Sequence, residues 1–336
     1  MPEAVWREAE QAYAGQGAGA WRAARAVIEA AGYKASSQQI QKHCERAGVT
    51  AAQEAAFFSM PSWQDAEPGS SGIEEARLQQ DGVRILAARD QKPTSHLIIP
   101  DTQVKPGVSI DHLHWIGRYI AERAPDVVVM LGDWWDMESL SEYDRGKKSF
   151  EGRRYLADVE SGNRGLELLE QGMGSFKPKR KIMLRGNHEE RILRAIEVEP
   201  RLEGALGYHH FNDVALGWEP VEFLVPLNVD DIWYSHYFVQ PMSGRAYSGT
   251  VENILKNLGF SFVAGHQQGI RFARRELNNG NVHIGVIAGS CYTHDENYKG
   301  PQGNNHWRGV VVAHEVQGGQ FDMMQVSLDF LRRKFG

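Results

Sequence analysis

Five short polar stretches in this 336-residue chain contain the side chains that bind divalent metal ions. Carboxylate oxygens together with imidazole nitrogens suit Mn²⁺, Fe, Zn²⁺ or Mg²⁺. A carboxylate shared by two such ions holds them about 3.5 to 4 Å apart, where they clamp a phosphate and lower the pKa of a bridging water. The predicted chemistry is attack of a metal-activated hydroxide on phosphorus. The stretches are Asp101-Thr102-Gln103, Gly132-Asp133-Trp134-Trp135-Asp136, Leu184-Arg185-Gly186-Asn187-His188-Glu189, His236 and Gly265-His266-Gln267-Gln268.

Each stretch follows a run of apolar residues, many of them β-branched, which is the pattern of a buried strand. His96–Ile99 precedes the first stretch and Val127–Leu131 precedes the second. Open α/β folds place their sites at the carboxyl ends of strands. We therefore expect Asp101 and Asp133 to end neighbouring strands and to converge with the three later stretches.

Beyond these runs, strands alternate with helices, which is typical of an α/β fold. Helical periodicity is predicted over 112–123 and 153–172, and a helix is predicted to begin at His188. After Glu222 the chain is richer in strands and ends on a hairpin at Gly318-Gly319. Further strands are predicted over 83–88 and 181–185.

The chain is predicted to divide into a helical module over 1–60, a linker over 61–80 and a larger domain over 81–336. Apolar residues recur at helical spacing over 21–31, and Gly32 ends that helix. Ser36 or Ser37 can cap a second helix, and Thr50 can cap a third. Two interpretations of the module stay open: a helix-turn-helix that contacts DNA through its second helix, or a helical bundle that mediates docking or assembly.

Composition limits the functional classes. Hydrophobic residues make up 42% and charged residues 24%, with a formal net charge of −6, so the whole molecule offers no general duplex-binding surface. Two basic clusters, 177–181 and 271–275, have two interpretations: solvated turns that flank strands, or a local basic strip. The two cysteines are far apart, and the chain shows neither a signal-peptide pattern nor an apolar run of membrane length. These features predict cytoplasmic residence and no membrane association.

The five stretches together resemble the calcineurin-like metallophosphoesterase superfamily, in particular its phage and prophage members. That family's pattern is Asp-x-His, Gly-Asp-x-x-Asp, Gly-Asn-His-Asp/Glu, a later His and Gly-His-x-His. The resemblance covers about 97–269. It implies an α/β fold of the two-sheet α/β/β/α sandwich type, with the later strands completing the second sheet.

The resemblance also implies a role for each matching residue. Asp133 would bridge two divalent ions, Asp101 would hold the first, and the second would be completed by Asn187, His236 and His266. His188 would protonate the leaving oxygen or stabilise developing charge, with Asp136 orienting it. Arg185 has two interpretations: a phosphate ligand, or a structural ion pair with Glu189 or Glu190.

Two positions depart from the family's pattern. Gln103 and Gln268 stand where the family has the two histidines of the first metal site. An amide oxygen is a weaker ligand for transition metals than imidazole, but it is acceptable to harder ions. We therefore expect two divalent ions, with Mn²⁺ favoured over Mg²⁺, Fe, Zn²⁺ or Ca²⁺, and a weaker site at Asp101, Gln103 and Gln268.

The leading functional prediction is a phosphodiesterase or nuclease that acts on nucleic acid or nucleotides. A phosphomonoesterase is the nearest alternative, although Asp136 is followed by Met137-Glu138, where protein phosphatases of the family have Arg-Gly. A second alternative is a DNA-binding or assembly protein that keeps the fold with weakened catalysis. The loop over 291–307 either lines the substrate groove, where its aromatic residues would stack on bases, or is structural. Oligomeric state is left open.

Overall fold

A computed structural model describes residues 2–14, 20–34, 39–40, 43–44, 92–296 and 299–336. Its contacts divide the chain into two units, Met1–Gln79 and Gln80–Gly336. The linker over 61–80, the strand over 83–88 and the helix caps at Ser36, Ser37 and Thr50 lie outside the described residues. These remain predictions.

The first unit contains two helices, α1 (Glu3–Ala14) and α2 (Ala20–Ala30). Helix α2 ends as predicted, because Gly32 adopts a positive φ of 83° and the amide of Tyr33 bonds back to the carbonyl of Ile28. A small apolar core joins the helices to a short helical stretch further on. Its buried members are Ala9, Ala24, Ile28, Ile40 and Cys44.

Within the described residues of the second unit, eleven strands form two mixed sheets. The first sheet has the order β11-β10-β1-β2-β3-β4, in which β1 to β4 are parallel. Its strands are β1 (Thr94–Ile99), β2 (Val127–Met130), β3 (Arg180–Leu184), β4 (Glu219–Val221), β10 (Gly309–Gln317) and β11 (Gln320–Ser327). The β10–β11 hairpin turns at Gly318-Gly319, as predicted.

The second sheet has the order β5-β6-β7-β9-β8, with β6, β7 and β9 parallel. Its strands are β5 (Leu227–Val229), β6 (Ile232–Ser235), β7 (Phe262–Ala264), β8 (Arg271–Glu276) and β9 (Val282–Ile287). The two edge strands are antiparallel to their neighbours.

Helices cover the outer faces of the sheets. Against the first sheet lie α3 (Asp111–Arg123), α4 (Tyr155–Met173) and α8 (Leu328–Phe335), whose side chains join one apolar core. Helix α6 (Val251–Leu258) covers the second sheet. Helices α5 (Arg191–Val198) and α7 (Gly300–Gly303) complete the described helices of this unit. Helix α5 begins three residues later than predicted, because 187–190 form turns first.

A second core lies between the two sheets, so the strands are apolar on both faces. In β1, Leu97 and Ile99 face the helices, whereas Ile98 faces the other sheet. In β2, Val128 and Met130 alternate in the same way with Val127 and Val129. Burial on both faces explains why these strands appear in the sequence as continuous apolar runs. The unit is therefore a mixed α/β structure with two stacked sheets.

In the part of the chain that the structure describes, every helix falls short of the length and apolarity needed to cross a membrane.

One buried histidine makes the stability of this fold sensitive to acid. His112 in α3 is 2% exposed, and its Nε2 donates to the carbonyl of Cys291 at 3.0 Å. Burial lowers the pKa of His112 to about 4 from the usual 6.5. The unfolded chain therefore takes up the proton more readily, and the stability contributed by neutral His112 is lost as the pH falls from 6.5 towards 4.

We predict that His112→Gln, which keeps an N–H donor but does not titrate, reduces the acid sensitivity of folding. Between pH 7.5 and 4.5 the free energy of unfolding of the wild type should fall by about 2–3 kcal/mol more than that of the variant. Urea denaturation at a series of pH values measures this difference. Parallel pH profiles for the two proteins would contradict the assignment.

Candidate metal centre

The polar stretches lie at the carboxyl ends of parallel strands from both sheets. Asp101, Asp133 and Asn187 follow β1, β2 and β3, while His236 and His266 follow β6 and β7. Hydrogen bonds join the groups across the two sheets. The amide of His266 donates to Asp101 Oδ1 at 2.8 Å, and His236 Nε2 lies 2.9 Å from Asn187 Oδ1. The structure therefore brings all five residues to one place.

Asp133, His236 and His266 form the tightest part of this cluster. Each offers one ligand atom, and these atoms all lie within 4.8 Å of one another. Asp133 Oδ2 is 3.4 Å from His236 Nε2, and Asp133 is almost completely buried. A carboxylate and two imidazoles at this spacing form a donor set suited to one divalent ion.

His236 is oriented for such a role by the main chain. Its Nδ1 donates to the carbonyl of Leu131 at 2.8 Å, which leaves Nε2 directed towards Asp133 and Asn187. Metal-binding histidines are commonly held in this way, because the second ring nitrogen fixes both tautomer and ring direction. Asn187 Oδ1 adds an oxygen donor on the same side.

Asp101 and Gln103 provide two further oxygens that lack protein partners. Asp101 Oδ2 and Gln103 Oε1 are fully buried, and neither has a hydrogen-bond partner within the described residues. Buried oxygen atoms without donors are costly, so they indicate a place where a cation or an ordered water completes the structure. These two residues fit the expected weaker ion position.

Gln268 lies at the same place but is engaged differently. Its Oε1 accepts hydrogen bonds from the hydroxyl of Tyr292 at 2.9 Å and from the ammonium group of Lys299. The amide oxygen predicted to bind a metal therefore already has two donors. The sequence analysis did not single out Lys299, although it lies in the 291–307 loop that one interpretation placed at the substrate groove.

The loops that carry the ligands have unusual backbone conformations. Gln103, Asp133, His266 and Gln268 all have positive φ, between 45° and 64°. Such conformations are strained for residues other than glycine and tend to cluster at functional sites. Gly186 is required by close approach, since a Cβ there would lie 2.1 Å from Asp133 Oδ1.

A buried carboxylate, Glu189, joins the two loops that carry Asp133 and Asn187. Its Oε2 accepts from the amides of Asp133 at 3.0 Å and Gly186 at 2.7 Å, and its Oε1 accepts from the amide of Trp135 at 2.9 Å. The sequence analysis considered Glu189 only as a partner of Arg185. The sequence feature that could have indicated this role is the position of Glu189 directly after Asn187-His188.

His188 and Asp136 form a pair beside the cluster, as predicted. His188 Nδ1 lies 2.6 Å from Asp136 Oδ1, its amide donates to Asp133 Oδ1 at 3.0 Å, and its Nε2 lies 3.7 Å from Asp133 Oδ2. Burial disfavours the charged imidazole, but the carboxylates of Asp133 and Asp136 outweigh it and raise the pKa of His188. The imidazolium form is therefore favoured.

Asp136 is itself held in the ionised state. Burial opposes its ionisation, but the bond from His188 and the charges of Lys105 and Arg191 lower the pKa of Asp136 to about 2. Lys105, which the sequence analysis also missed, lies 3.3 Å from Asp136 and 2.7 Å from Glu296. The buried ammonium group of Lys105 thus stabilises the ionised carboxylate of Asp136.

Charges within the cluster are strongly coupled. Burial raises the pKa of Asp101 to about 6, with Asp133 adding to the increase. Burial raises the pKa of Asp133, but the imidazoles of His188 and His236 outweigh it and lower that pKa. The same carboxylate raises the pKa of His236 to about 9 against the effect of burial. Buried anions here require positive charge, supplied by protons or by a metal ion.

Arg185 is a correction to the predicted catalytic set. Its guanidinium is 2% exposed and pairs with Asp213 at 2.5 Å. It lies over the rings of Trp135, Tyr208 and Phe211, at 4.9 to 5.6 Å from their centroids. The prediction of a phosphate ligand is wrong, because the guanidinium group is buried in the core and forms its ion pair there. A structural ion pair was the alternative prediction, but its partner is Asp213 and not Glu189 or Glu190.

Two cavities open onto the cluster. One of about 450 Å³ is lined by Asp133, Asn187, His188 and His266 and also by Lys299 and His306. The other, of about 1020 Å³, extends from Gln103 and His188 past Lys105 and Arg153 to His294. Residues of the 291–307 loop thus line both cavities.

Comparison with known proteins adds little. No protein-family model and no curated protein matches the chain. A solved crystal structure aligns with 70% of this chain and 99% of its own, at 14% sequence identity and a TM-score of 0.32. A likeness that weak carries no weight for the fold or for the site.

We predict that Glu189→Gln destabilises the protein and weakens metal binding together. The amide nitrogen of the introduced Gln would face at least one of the backbone N–H groups that now donate to Glu189, so at least one buried donor would lose its acceptor. This loss should lower the free energy of unfolding by about 1–3 kcal/mol. Loss of this support should also weaken Mn²⁺ binding by roughly 10- to 100-fold. Chemical denaturation and calorimetric titration measure the two effects. Glu190→Gln, at the half-buried neighbouring position, is the matched control, and identical behaviour of the two variants would refute the role.

We also predict that Arg185→Met lowers the free energy of unfolding by about 3–5 kcal/mol, because it leaves Asp213 as a buried, uncompensated charge. The double variant Arg185→Met/Asp213→Asn should recover a substantial part of that loss. Arg201→Met, which breaks an exposed pair with Glu199, should cost less than about 1 kcal/mol. Urea denaturation tests all three. A fully stable Arg185→Met protein with impaired phosphate binding would restore the phosphate-ligand hypothesis.

Proposed function

We propose that the chain is a metal-dependent phosphoester hydrolase with a calcineurin-like fold. The observation that carries this proposal is the convergence of Asp133, Asn187, His236 and His266 at the ends of parallel strands from two stacked sheets. These four donors of metal-binding type come together from loops that are up to 133 positions apart in sequence. The α/β/β/α layering supports the same assignment.

The donor set defines where metal ions would be held. Asp133, Asn187, His236 and His266 would hold one divalent ion, and Asp101 and Gln103 would contribute to a second, weaker position shared with Asp133. The oxygen-rich character of the set favours Mn²⁺. A bound ion would supply Lewis acidity and lower the pKa of a water molecule that it binds.

His188 supplies the acid of the proposed reaction. Asp136 accepts the hydrogen bond from Nδ1, so the second ring nitrogen, Nε2, is the one directed at the cavity. Because Asp133 and Asp136 favour the imidazolium form, Nε2 holds a proton that can be transferred to the leaving oxygen. Lys105 and Arg191 keep Asp136 ionised, which maintains the orientation of His188.

The shape of the site favours a diester over a monoester. His188 and Gln103 line both cavities, so space extends away from the reacting position in two directions. A diester carries a substituent on each side of phosphorus, whereas a monoester would leave one cavity without a function. The phosphomonoesterase alternative is accordingly the second choice.

Charge favours a short substrate over a long nucleic acid. The lining of the larger cavity has more carboxylates than cations, which opposes a long polyanion. The basic cluster over 177–181 is paired with carboxylates at Glu170, Asp126 and Glu219. We therefore favour a nucleotide or a short oligonucleotide. The lining carboxylates are Asp136, Glu138, Asp144, Glu151, Asp158, Asp295 and Glu296, and the cations are Lys105, Arg153, Arg154 and Arg191.

We predict that the purified protein with Mn²⁺ hydrolyses bis-p-nitrophenyl phosphate faster than p-nitrophenyl phosphate. His188→Ala should lower kcat/KM while Mn²⁺ binding persists, because it removes the acid but no metal ligand. The loss should approach roughly 10²- to 10⁴-fold only for a dinucleotide, whose leaving alcohol needs the proton more than p-nitrophenolate does. Asn187→Ala should reduce both activity and Mn²⁺ affinity. Release of p-nitrophenolate and calorimetric titration are the measurements.

His209→Ala, at an exposed histidine, is the matched control and should behave like the wild type. Preferential monoester cleavage would support the phosphomonoesterase alternative. Tight Mn²⁺ binding with no turnover of either ester would instead support a protein that keeps the fold with weakened catalysis. Turnover that His188→Ala leaves unchanged would contradict the assigned acid.

A further inference from the structure

Lys299 is a positive charge at the edge of the candidate metal centre that the proposed function does not use. Its ammonium group donates to Gln268 Oε1 and, at 2.9 Å, to the hydroxyl of Tyr292. It lines the same cavity as Gln103, Asp133 and His266. The half-buried side chain of Lys299 therefore contributes its charge to the lining of this cavity.

The ammonium group is held by a buried scaffold. Tyr292 is completely buried, and its hydroxyl donates to Gln268 Oε1 while lying 3.3 Å from His306 Nε2. His306 Nε2 in turn lies 2.9 Å from Ser290 Oγ. Tyr292 and Gln268 thus hold Lys299 from two sides.

The ammonium group of Lys299 is bound to an oxygen that belongs to the weaker of the two expected ion positions, Gln268 Oε1. An ion bound by Asp101, Gln103 and Gln268 would need the Gln268 oxygen that Lys299 now uses. A divalent ion and an ammonium group sharing one amide oxygen repel each other strongly at such short range.

We propose that the ammonium group of Lys299 is a built-in cation at Gln268, so that the protein binds one divalent ion tightly and a second only weakly. This inference rests on the proposed function, because it assumes that Asp133, Asn187, His236 and His266 hold the tight ion. It goes further by explaining why the weaker position is weak. The limiting factor is charge already present at Gln268, in addition to the replacement of imidazole by amide.

The inference predicts that removing the charge creates a second tight site. The wild-type protein, titrated with Mn²⁺ after removal of bound metal, should bind one ion tightly. Lys299→Met should bind two, with the dissociation constant of the second ion lowered by about tenfold or more, because a like charge no longer opposes it. Lys299→Gln serves as a second neutral variant, and Lys299→Arg, which keeps the charge, should still bind one.

The measurements are the electron paramagnetic resonance signal of free Mn²⁺ and calorimetric titration, with circular dichroism as the check on folding. Lys256→Met removes an exposed lysine of α6 and should leave the stoichiometry at one. Two tight ions in the wild type, or one ion in both neutral variants, would overturn the inference while leaving the proposed function intact. No bound ion in the wild type would overturn the proposed function and this inference with it.

Discussion

The burial of the Asp133 carboxylate is the constraint on which the rest of the candidate site depends. An ionised carboxylate is costly to bury unless it is hydrogen-bonded and paired with positive charge. Here the amide of His188 donates to one oxygen, and the imidazoles of His188 and His236 lie 3.7 and 3.4 Å from the other. Each neighbour that meets this requirement is also a residue with a proposed role in binding or proton transfer.

The cost is increased by a second buried carboxylate. The carboxylate of Glu189 accepts a hydrogen bond from the backbone amide of Asp133. Burial raises the pKa of Glu189, and the repulsion from Asp133 adds to the increase. Two adjacent anions therefore increase the need for positive charge. A metal ion at Asp133, as proposed above, would meet that need more fully than protons on histidine.

Much of the frame of this site could be predicted from the sequence. The apolar runs before Asp101, Asp133 and Asn187 identified β1, β2 and β3, because strands buried on both faces lack polar interruptions. The order of the polar stretches then placed five candidate ligands at strand ends. Local pattern was sufficient wherever a residue's position is set by the strand that it follows.

Contacts between distant segments could not be predicted in this way. The partner of Arg185 is Asp213, 28 positions further along the chain, and nothing in the spacing indicates that pair over Glu189 or Glu190. Lys105 meets Glu296 across 191 positions for the same reason. A charged side chain in a motif can belong to the site or to the core. Which neighbour it pairs with is determined by the tertiary fold.

The two glutamines show how far motif reasoning extends. As replacements for histidine in the family's pattern, Gln103 and Gln268 are equivalent, and both predict a weaker metal site. In the structure they differ, because buried Gln103 Oε1 has no hydrogen-bond partner among the described residues, whereas Gln268 Oε1 accepts from Lys299 and Tyr292. One amide therefore remains available to a cation and the other is already bound to one. Gln268 is therefore best understood together with Lys299, as an amide that binds an ammonium group.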